Sequence, residues 1–565
     1  MHKAIGELIS VDCQPISIVE DLGFERLMKK VKPNYVIPSR KYFSEKVLPE
    51  IHEKVLKKVN EALGTAQNIS FTTDIWTNNA NISFISLTGH CINKNFERTT
   101  IVLRVAPFPG SHTAMHITEV IENVIQEFKI PHYKIHAIVR DNGANIVRGV
   151  SDTGYNGVSC FLHTLQLVIR DVIFQQEIVK DIITTCKKIV GHFSHSPLAY
   201  NKLSLLQTRH DLPQHKLIQD VATRWNSTYF MLSRMLEQKA AVTSYSVDCD
   251  TANIPVIDGG SWRLMDNIVS ILKVFHEITV RLSERNATVA EIIPQIKFLD
   301  VFLAKASTNH RYSAIASTIS AMKHSIKKRF ERYIDDYITV LATYLDPRFK
   351  HTLYRPDYES SYEAQEKPNK THKANIENEL KNALTKQIQM KAEISETSAV
   401  VSASEDDVIV DIVDSEQELQ DKSSAESDDM SDLNFDTCLN QLISEGDECS
   451  KNTSKKRKLA KQESQSKVDE LSIKIKEEML MYEKLEMLPC NENPFLWWRE
   501  HEYSFPLLSQ LANKYLCSPP SSIESERLFS TGGNIHTPHR NRLNPDSGEM
   551  LMFLHYNLRI INFDY

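Results

Sequence analysis

Residues 519–544 read PPSSIESERLFSTGGNIHTPHRNRLN, and the fold turns on how they are read. Pro519 and Pro520 end what precedes them. Ser521 and Glu524 have the S-x-x-E spacing of a capping box, which predicts a helix start at this point. Glu526 then lies about one turn into that helix. Gly532 and Gly533 predict its end after about three turns, and the stretch beyond carries Arg540 and Arg542 toward a partner. The segment is a carboxylate placed on a helix with a basic loop behind it.

The rest of the chain must supply the acids that such a carboxylate would join. Asp74, in FTTDIWTNN, follows a β-branched run at once, so its side chain is expected near a strand end, where ions and substrates approach open sheets. Asp141, in IVRDNGANIV, does the same after a later apolar strand, and Gly143 lets the chain turn away. If those two strands are neighbours at about 4.8 Å, the carboxylates converge and repel unless a cation lies between them. With Glu526 as a third oxygen donor, the set suits Mg²⁺ or Mn²⁺. Taken singly, an Asp at a strand end is a turn former, and Glu524 reads as a cap rather than a ligand.

The pattern between these acids has two textures. Short β-branched runs, ISFTTD, NISFISLTGHCI and ERTTIVLRVAPF, are followed by a helix expected at 113–128 and a strand at 134–141. On that order the last strand lies beside the first as its parallel neighbour. Beyond Val158 helical periodicity takes over, with Leu264, Ile268, Ile271, Leu272, Phe275 and Leu282 on one face. Residues 1–66 read as a helical leader, in which Ser39 is an N-cap for the helix that carries Phe43, Val47, Ile51 and Val55. The ATYLDPRFK stretch, 342–350, reads locally as a helix end stopped by Pro347.

Charge is distributed unevenly. The formal net charge of the 565 residues is −7, yet residues 405–448 hold sixteen Asp or Glu and one base, Lys422, so everything else sums to +8. From about 358 to 470 the chain loses aromatic residues and gains Ser, Glu, Asp and Lys, which predicts a disordered acidic insertion. Near its end Lys455, Lys456, Arg457 and Lys458 have the clustering of a nuclear-import signal, or of a solvated linker. No stretch approaches the roughly 18 apolar residues of a membrane helix, the first residues lack a signal-peptide core, and the nine cysteines contain no C-x-x-C pair. The expectation is a soluble intracellular protein with reduced thiols.

Residues 519–544, together with NPFLWWREHEYSFPLLSQLANKYL upstream and SGEMLMFLHYNL downstream, closely resemble the C-terminal dimerisation signature of hAT-superfamily DNA transposases and of the BED-type zinc-finger proteins descended from them. Residues 13–43 resemble the stretch that follows the BED finger in that family, and 342–350 resembles another of its markers. The finger itself, with its two Cys and two His, is not found in this chain. The resemblance implies an α/β fold with an RNase H-like core at 67–170, interrupted by an all-α insertion at 171–357 and the acidic stretch at 358–470. A helical return to the core and the hAT dimerisation region follow at 471–565. It implies an Asp, Asp, Glu triad holding two metal ions, matched here by Asp74, Asp141 and Glu526. Two such ions would activate water or a 3′ hydroxyl for in-line displacement at a DNA phosphate.

Further expectations come from the same resemblance. Cys160 and His163 form a C-x-x-H with no second pair to complete a zinc site. Locally they read as a buried thiol and a histidine one turn on, and by resemblance as residues that order the core beside the active site. Arg224 offers a guanidinium for phosphate and Trp225 an indole for a base, against the plain reading that Trp225 packs. Trp497, Trp498 and the apolar residues after them read as core and subunit interface, with Met550, Leu551, Phe553, Leu554 and Tyr556 as the apolar half of that interface.

Two functions follow from the same residues. One is a metal-dependent cut-and-paste transposase. The other is a transposase-derived nuclear protein that dimerises and binds DNA to regulate transcription. The intact acids favour the first. The missing finger and the acidic insertion favour the second, to which the balance falls. The partners expected are DNA and a second copy of the chain, with no membrane and no small-molecule cofactor.

Overall fold

A computed structural model describes residues 1–77, 81–221, 224–248, 254–350, 376–382, 385, 470–471, 473–535 and 544–565. Two compact units result, one of 1–372 with 486–565 and one of 373–485.

The first unit is built on a five-stranded mixed sheet in the order β3-β2-β1-β4-β5. Its strands are β1 (Ile69–Thr77), β2 (Ser83–Ile92), β3 (Arg98–Pro107), β4 (Ile135–Arg140) and β5 (Gly157–Ser159). The first three form an antiparallel meander, and β4 and β5 add in parallel. The helix expected before β4 spans Ala114–Glu127, where Thr113 caps it through His116 N and Ile117, Ile121 and Val124 turn into the core. This bears out the strand–strand–strand–helix–strand reading, including β4 as the parallel neighbour of β1. β5 escaped the sequence reading because three residues are too few to show a period.

The leader folds as expected. Ser39 Oγ accepts from Tyr42 N, and a helix runs through Arg40–Tyr42, a π-helical Phe43–Val47 and Leu48–Thr65 with Phe43, Val47, Ile51 and Val55 buried. Chain edges are covered as well as faces. β3 is an edge strand, and Asn557 pairs with its backbone, accepting from Val102 N at 3.1 Å and donating to Val102 O at 2.9 Å. The helix that carries Asn557, Pro545–Ile560, therefore closes an edge that would otherwise present unpaired groups. Leu551, Phe553 and Leu554 are buried inside the chain by this docking. That corrects the expectation that they form the apolar half of a subunit interface.

After β5 the chain enters a helical body from Phe161 to Leu345. Its helix Gly259–Leu282 buries Ile268, Ile271, Leu272, Phe275 and Leu282 as the periodicity predicts, with Leu264 partly covered. Residues 342–350 do more than end a helix. The helix Tyr337–Leu345 stops before Pro347, and fully buried Asp346 then accepts from Arg348 Nε at 2.9 Å and Nη2 at 2.7 Å, while Arg348 also reaches Glu291. Trp498, wholly buried, donates to Leu345 O at 2.9 Å, tying the body to the C-terminal return.

In the second unit, 376–382 and 473–484 are helical. Ile376 and Leu380, one turn apart, are buried along with Ile475, Met479 and Tyr482, and Lys476 pairs with Glu377 at 2.9 Å. The expected disordered insertion, 358–470, is thus helical at 376–382, because an i, i+4 apolar pair there finds a partner helix. Apart from residues 376–382, 385 and 470 it lies outside the described residues, as do Lys455, Lys456, Arg457 and Lys458.

Candidate active site at the sheet rim

The last register pair between β1 and β4 is Thr72↔Val139. Asp74 and Asp141 each stand two residues further along, so parallel pairing brings both carboxylates to the same end of adjacent strands. Asp74 still belongs to β1, opposite Ser86 of β2, and its Oδ1 accepts from Ile75 N at 2.8 Å. Asp141 follows β4 directly, and its Oδ1 accepts from Gly143 N at 3.1 Å. Gly143 has an ordinary φ of −62°, so turning does not require glycine here. A Cβ at this position would stand 3.3 Å from Asp141 Oδ1, and it is the closeness to the carboxylate that favours the missing side chain.

The third acid arrives on the helix Ile523–Ile535. The helix begins at Ile523 without the expected capping box: Ser521 Oγ is buried with no hydrogen-bond partner, and Glu524 pairs with Arg527. What fixes this start is the Cys160 thiol, which accepts from Ser522 N at 3.4 Å and from His163 N at 3.5 Å, while Phe161 N donates to Pro520 O at 3.0 Å. The helix also continues through Gly532 and Gly533 to Ile535, because its packing on β1 and β2 outweighs the intrinsic cost of two glycines. Trp76 stacks between Phe84 and Phe529, with centroids at 5.5 and 5.4 Å. These two aromatic anchors were not anticipated, although the spacing signalled them. Trp76 is two residues from Asp74 on a strand, and Phe529 three from Glu526 on a helix, so each shares a face with its acid.

The electrostatics show that the three acids share one environment. Burial first, with the Asp141 and Glu526 carboxylates beside it, pushes the Asp74 carboxyl up to about 7, against the Ile75 hydrogen bond. Burial also raises Glu526, which the Arg224 guanidinium partly offsets. His163 is lowered by burial and pulled back up by Asp141, with Arg170 acting the other way. The sequence-predicted Asp74, Asp141, Glu526, Arg224 and His163 are therefore neighbours, and Cys160 is buried next to His163, its thiol pushed up to about 11 chiefly by burial. Trp225 differs: it is 6 % exposed at the start of the helix Trp225–Glu237, so it packs and offers no face to a base. Arg540 and Arg542 lie outside the described residues.

Among the described residues no three His, Cys, Asp or Glu side chains stand close enough to enclose a cation on their own. The donor set nevertheless fits a hard divalent ion. Mg²⁺ takes only one or two carboxylates and completes its shell with water and phosphate oxygens, and Asp74 and Asp141 at the ends of adjacent strands supply such oxygens. Beside Asp141 a cleft of about 280 Å³, lined by Ile75, His112, Ile117 and Asn145 among others, opens onto the rim.

A mixed sheet of this order with acids at the ends of β1 and β4, and a third returned by a helix after a long helical body, has the layout of an RNase-like core. Residues 72–151 match the ZBED1 RNase-like domain, 158–271 the ZBED1 RNase-like helical domain, and 476–558 the hAT family C-terminal dimerisation region. The chain carries these hAT and ZBED regions and is a homologue of both transposases and zinc-finger BED proteins. It is 27 % identical to zinc finger BED domain-containing protein 4 of Homo sapiens over 99 % of its own length and 44 % of that protein's. A Zea mays protein named for the AC transposase is 24 % identical over 95 % of this chain and 62 % of its own, and a Talaromyces stipitatus protein named for the transcriptional regulator tpeD is 22 % identical over 90 % and 56 %. The chain spans about half the length of the relatives it matches.

Proposed function

We propose that the chain is a transposase-derived DNA-binding protein that self-associates through its hAT region, resides in the nucleus and acts in transcription regulation. The observation that carries this reading is the convergence of Asp74, Asp141 and Glu526, with Arg224 and His163 beside them, at the sheet rim. Self-association is supported by the matched dimerisation region, regulation by the name of the Talaromyces stipitatus relative, and nuclear residence by Lys455, Lys456, Arg457 and Lys458. Binding of the full chain to labelled duplex DNA, with affinity falling steeply as salt rises, tests the proposal. An affinity that is undetectable at low salt overturns it.

A second reading, metal-dependent DNA strand cleavage, is favoured by the presence of all three acids. Asp74, Asp141 and Glu526 would hold Mg²⁺ or Mn²⁺, which supplies Lewis acidity and a nucleophile of lowered pKa. The chain's own contributions are the orientation of Asp141 by Gly143 N, the placement of Glu526 by the Cys160 and Trp76 contacts, and Arg224 as a phosphate counter-charge. Nicking of a terminal-repeat DNA with Mn²⁺, abolished in Asp141→Asn, establishes this reading, and no nicking by either protein removes it.

A further inference from the structure

The helices Phe161–Val172 and Ala316–Ile334 lie side by side and run in opposite directions. Tyr333 Oη meets Thr164 Oγ1 at 2.8 Å at one end, Arg329 pairs with Asp171 further along, and Gln176 donates to Thr318 Oγ1 at 2.9 Å near the other end. Their shared interior is aromatic, with Phe161 stacked on Phe330 at 4.9 Å. Their shared outer edge is basic. On the first helix His163 and Arg170 are spaced i, i+7, and on the second Lys328 and Arg332 are spaced i, i+4, so each pair lies on one face. Arg170, Lys328 and Arg332 are exposed, and His163 is half-buried.

This edge begins at the acids. Arg332 Nη1 donates to Asn142 Oδ1 at 3.3 Å, which puts the guanidinium one residue from Asp141, and Asn142 is itself held by its bond to Thr164 Oγ1 at 2.9 Å. Two acidic groups lie near the edge. Asp171 is engaged by Arg329 and by Arg170 Nε at 3.3 Å, which leaves Arg170 other guanidinium donors. Glu331 is exposed on the far flank of its helix. From His163 to Arg170 the edge extends about 10 Å at helical rise, the span of about three phosphates of one strand.

We propose that this edge, with Arg332, Lys328 and Arg170 in line from Asp141 outward, is the track that takes the phosphates of one DNA strand as it leaves the acids. The inference rests on the DNA-binding reading above and names the surface that carries it out. Backbone-tracking basic grooves of this kind bind without reading bases and weaken with salt.

The test is fluorescence anisotropy of the full chain with a short labelled duplex, titrated between about 50 and 200 mM salt. The triple variant Arg170→Ala, Lys328→Ala, Arg332→Ala is expected to lose affinity at least about tenfold at low salt, with a log–log salt slope shallower by about 2 to 3. The pair Lys29→Ala and Lys30→Ala, exposed on the distant Leu22–Val31 helix, should keep the wild-type slope. The charge-preserving Arg170→Lys, Arg332→Lys variant should retain most of it and so separates lost charge from lost fold. If the wild type binds and the triple variant binds with the same slope, the track is wrong and the DNA-binding reading stands. If the wild type itself fails to bind, both fall.

Discussion

The indole of Trp76 stacks on the ring of Phe529 with centroids 5.4 Å apart and planes 17° from parallel, and this contact joins the strand of Asp74 to the helix of Glu526. The two acids are 452 residues apart in sequence, so their approach depends on whatever fixes that helix to β1. Trp76→Ala removes a large partly buried ring whose contacts have no substitute. It should destabilise the chain by about 2–4 kcal/mol, read as a lower denaturation midpoint. Phe529→Leu keeps apolar volume and should cost less than half as much. A Trp76→Ala protein that melts like wild type would show that the helix is held elsewhere.

Cys160 is the second fastening. Its sulfur accepts from the N–H groups of Ser522 and His163, which lie at two helix starts where donors have no partner within the helix. Cys160→Ala leaves both unsatisfied and should cost about 1–3 kcal/mol, whereas Cys160→Ser retains an acceptor and should cost less. With its thiol pushed up to about 11, Cys160 should resist alkylation in the native state at pH 8, while exposed Cys490 reacts. Mass spectrometry of alkylated peptides checks this, and rapid native labelling of Cys160 would contradict the fastening.

Asp74 gives a pH dependence with a definite sign. Its folded value, about 7, is above the ordinary 3.8, so the folded chain keeps a proton that the unfolded chain releases. Its contribution to stability is therefore full below pH 3.8 and is lost as pH rises through 7. His90 and His136, buried neutral and far below 6.5, act oppositely: their contribution is present above 6.5 and is lost as pH falls below it. Comparing Asp74→Asn with wild type isolates the acid from the histidines. The variant should be more stable by about 1–3 kcal/mol at pH 8, and the difference should shrink toward pH 4. Mn²⁺ should raise the melting temperature of the wild type at pH 8 more than that of Asp74→Asn. A variant no more stable than wild type at pH 8 would show that Asp74 carries no such strain.

What the sequence disclosed and withheld follows from the range of each interaction. Ser39, Thr113 and the β-branched runs act within a few residues, so the leader, β1 to β4 and the intervening helix were legible. Asp74 and Asp141 were legible as strand ends, and parallel pairing then did the rest. Glu526 was readable as one turn into a helix, although that helix starts through Cys160 rather than through Ser521. Its two glycines do not end it because contacts with β1 and β2, unseen in a local window, supply what propensity lacks. The burial of Leu551, Phe553 and Leu554 depended on β3 being an edge strand, which is a property of the sheet order and of no single segment. Trp225 left two readings open, stacking on a base or packing, and its burial by the helical body around it agrees with the second.

The stretch 342–350 shows the same limit in a form that mutagenesis can reach. Asp346 is wholly buried against Arg348, which also meets Glu291 at 3.2 Å, and Glu291 in turn meets Arg281 at 2.8 Å. Removing Asp346 strips buried Arg348 of its two shortest hydrogen bonds and leaves it Glu291 alone. Asp346→Ala should therefore cost about 3–5 kcal/mol, far more than the mere loss of a turn residue after Leu345. Substituting both partners with apolar residues, Asp346→Leu with Arg348→Met, removes the stranded charge and should recover a large part of the loss. Urea denaturation of Asp346→Leu, of Arg348→Met and of the double variant measures the coupling. Additive losses would mean that Asp346 and Arg348 act independently, and that Pro347 alone, by stopping the helix, accounts for this segment.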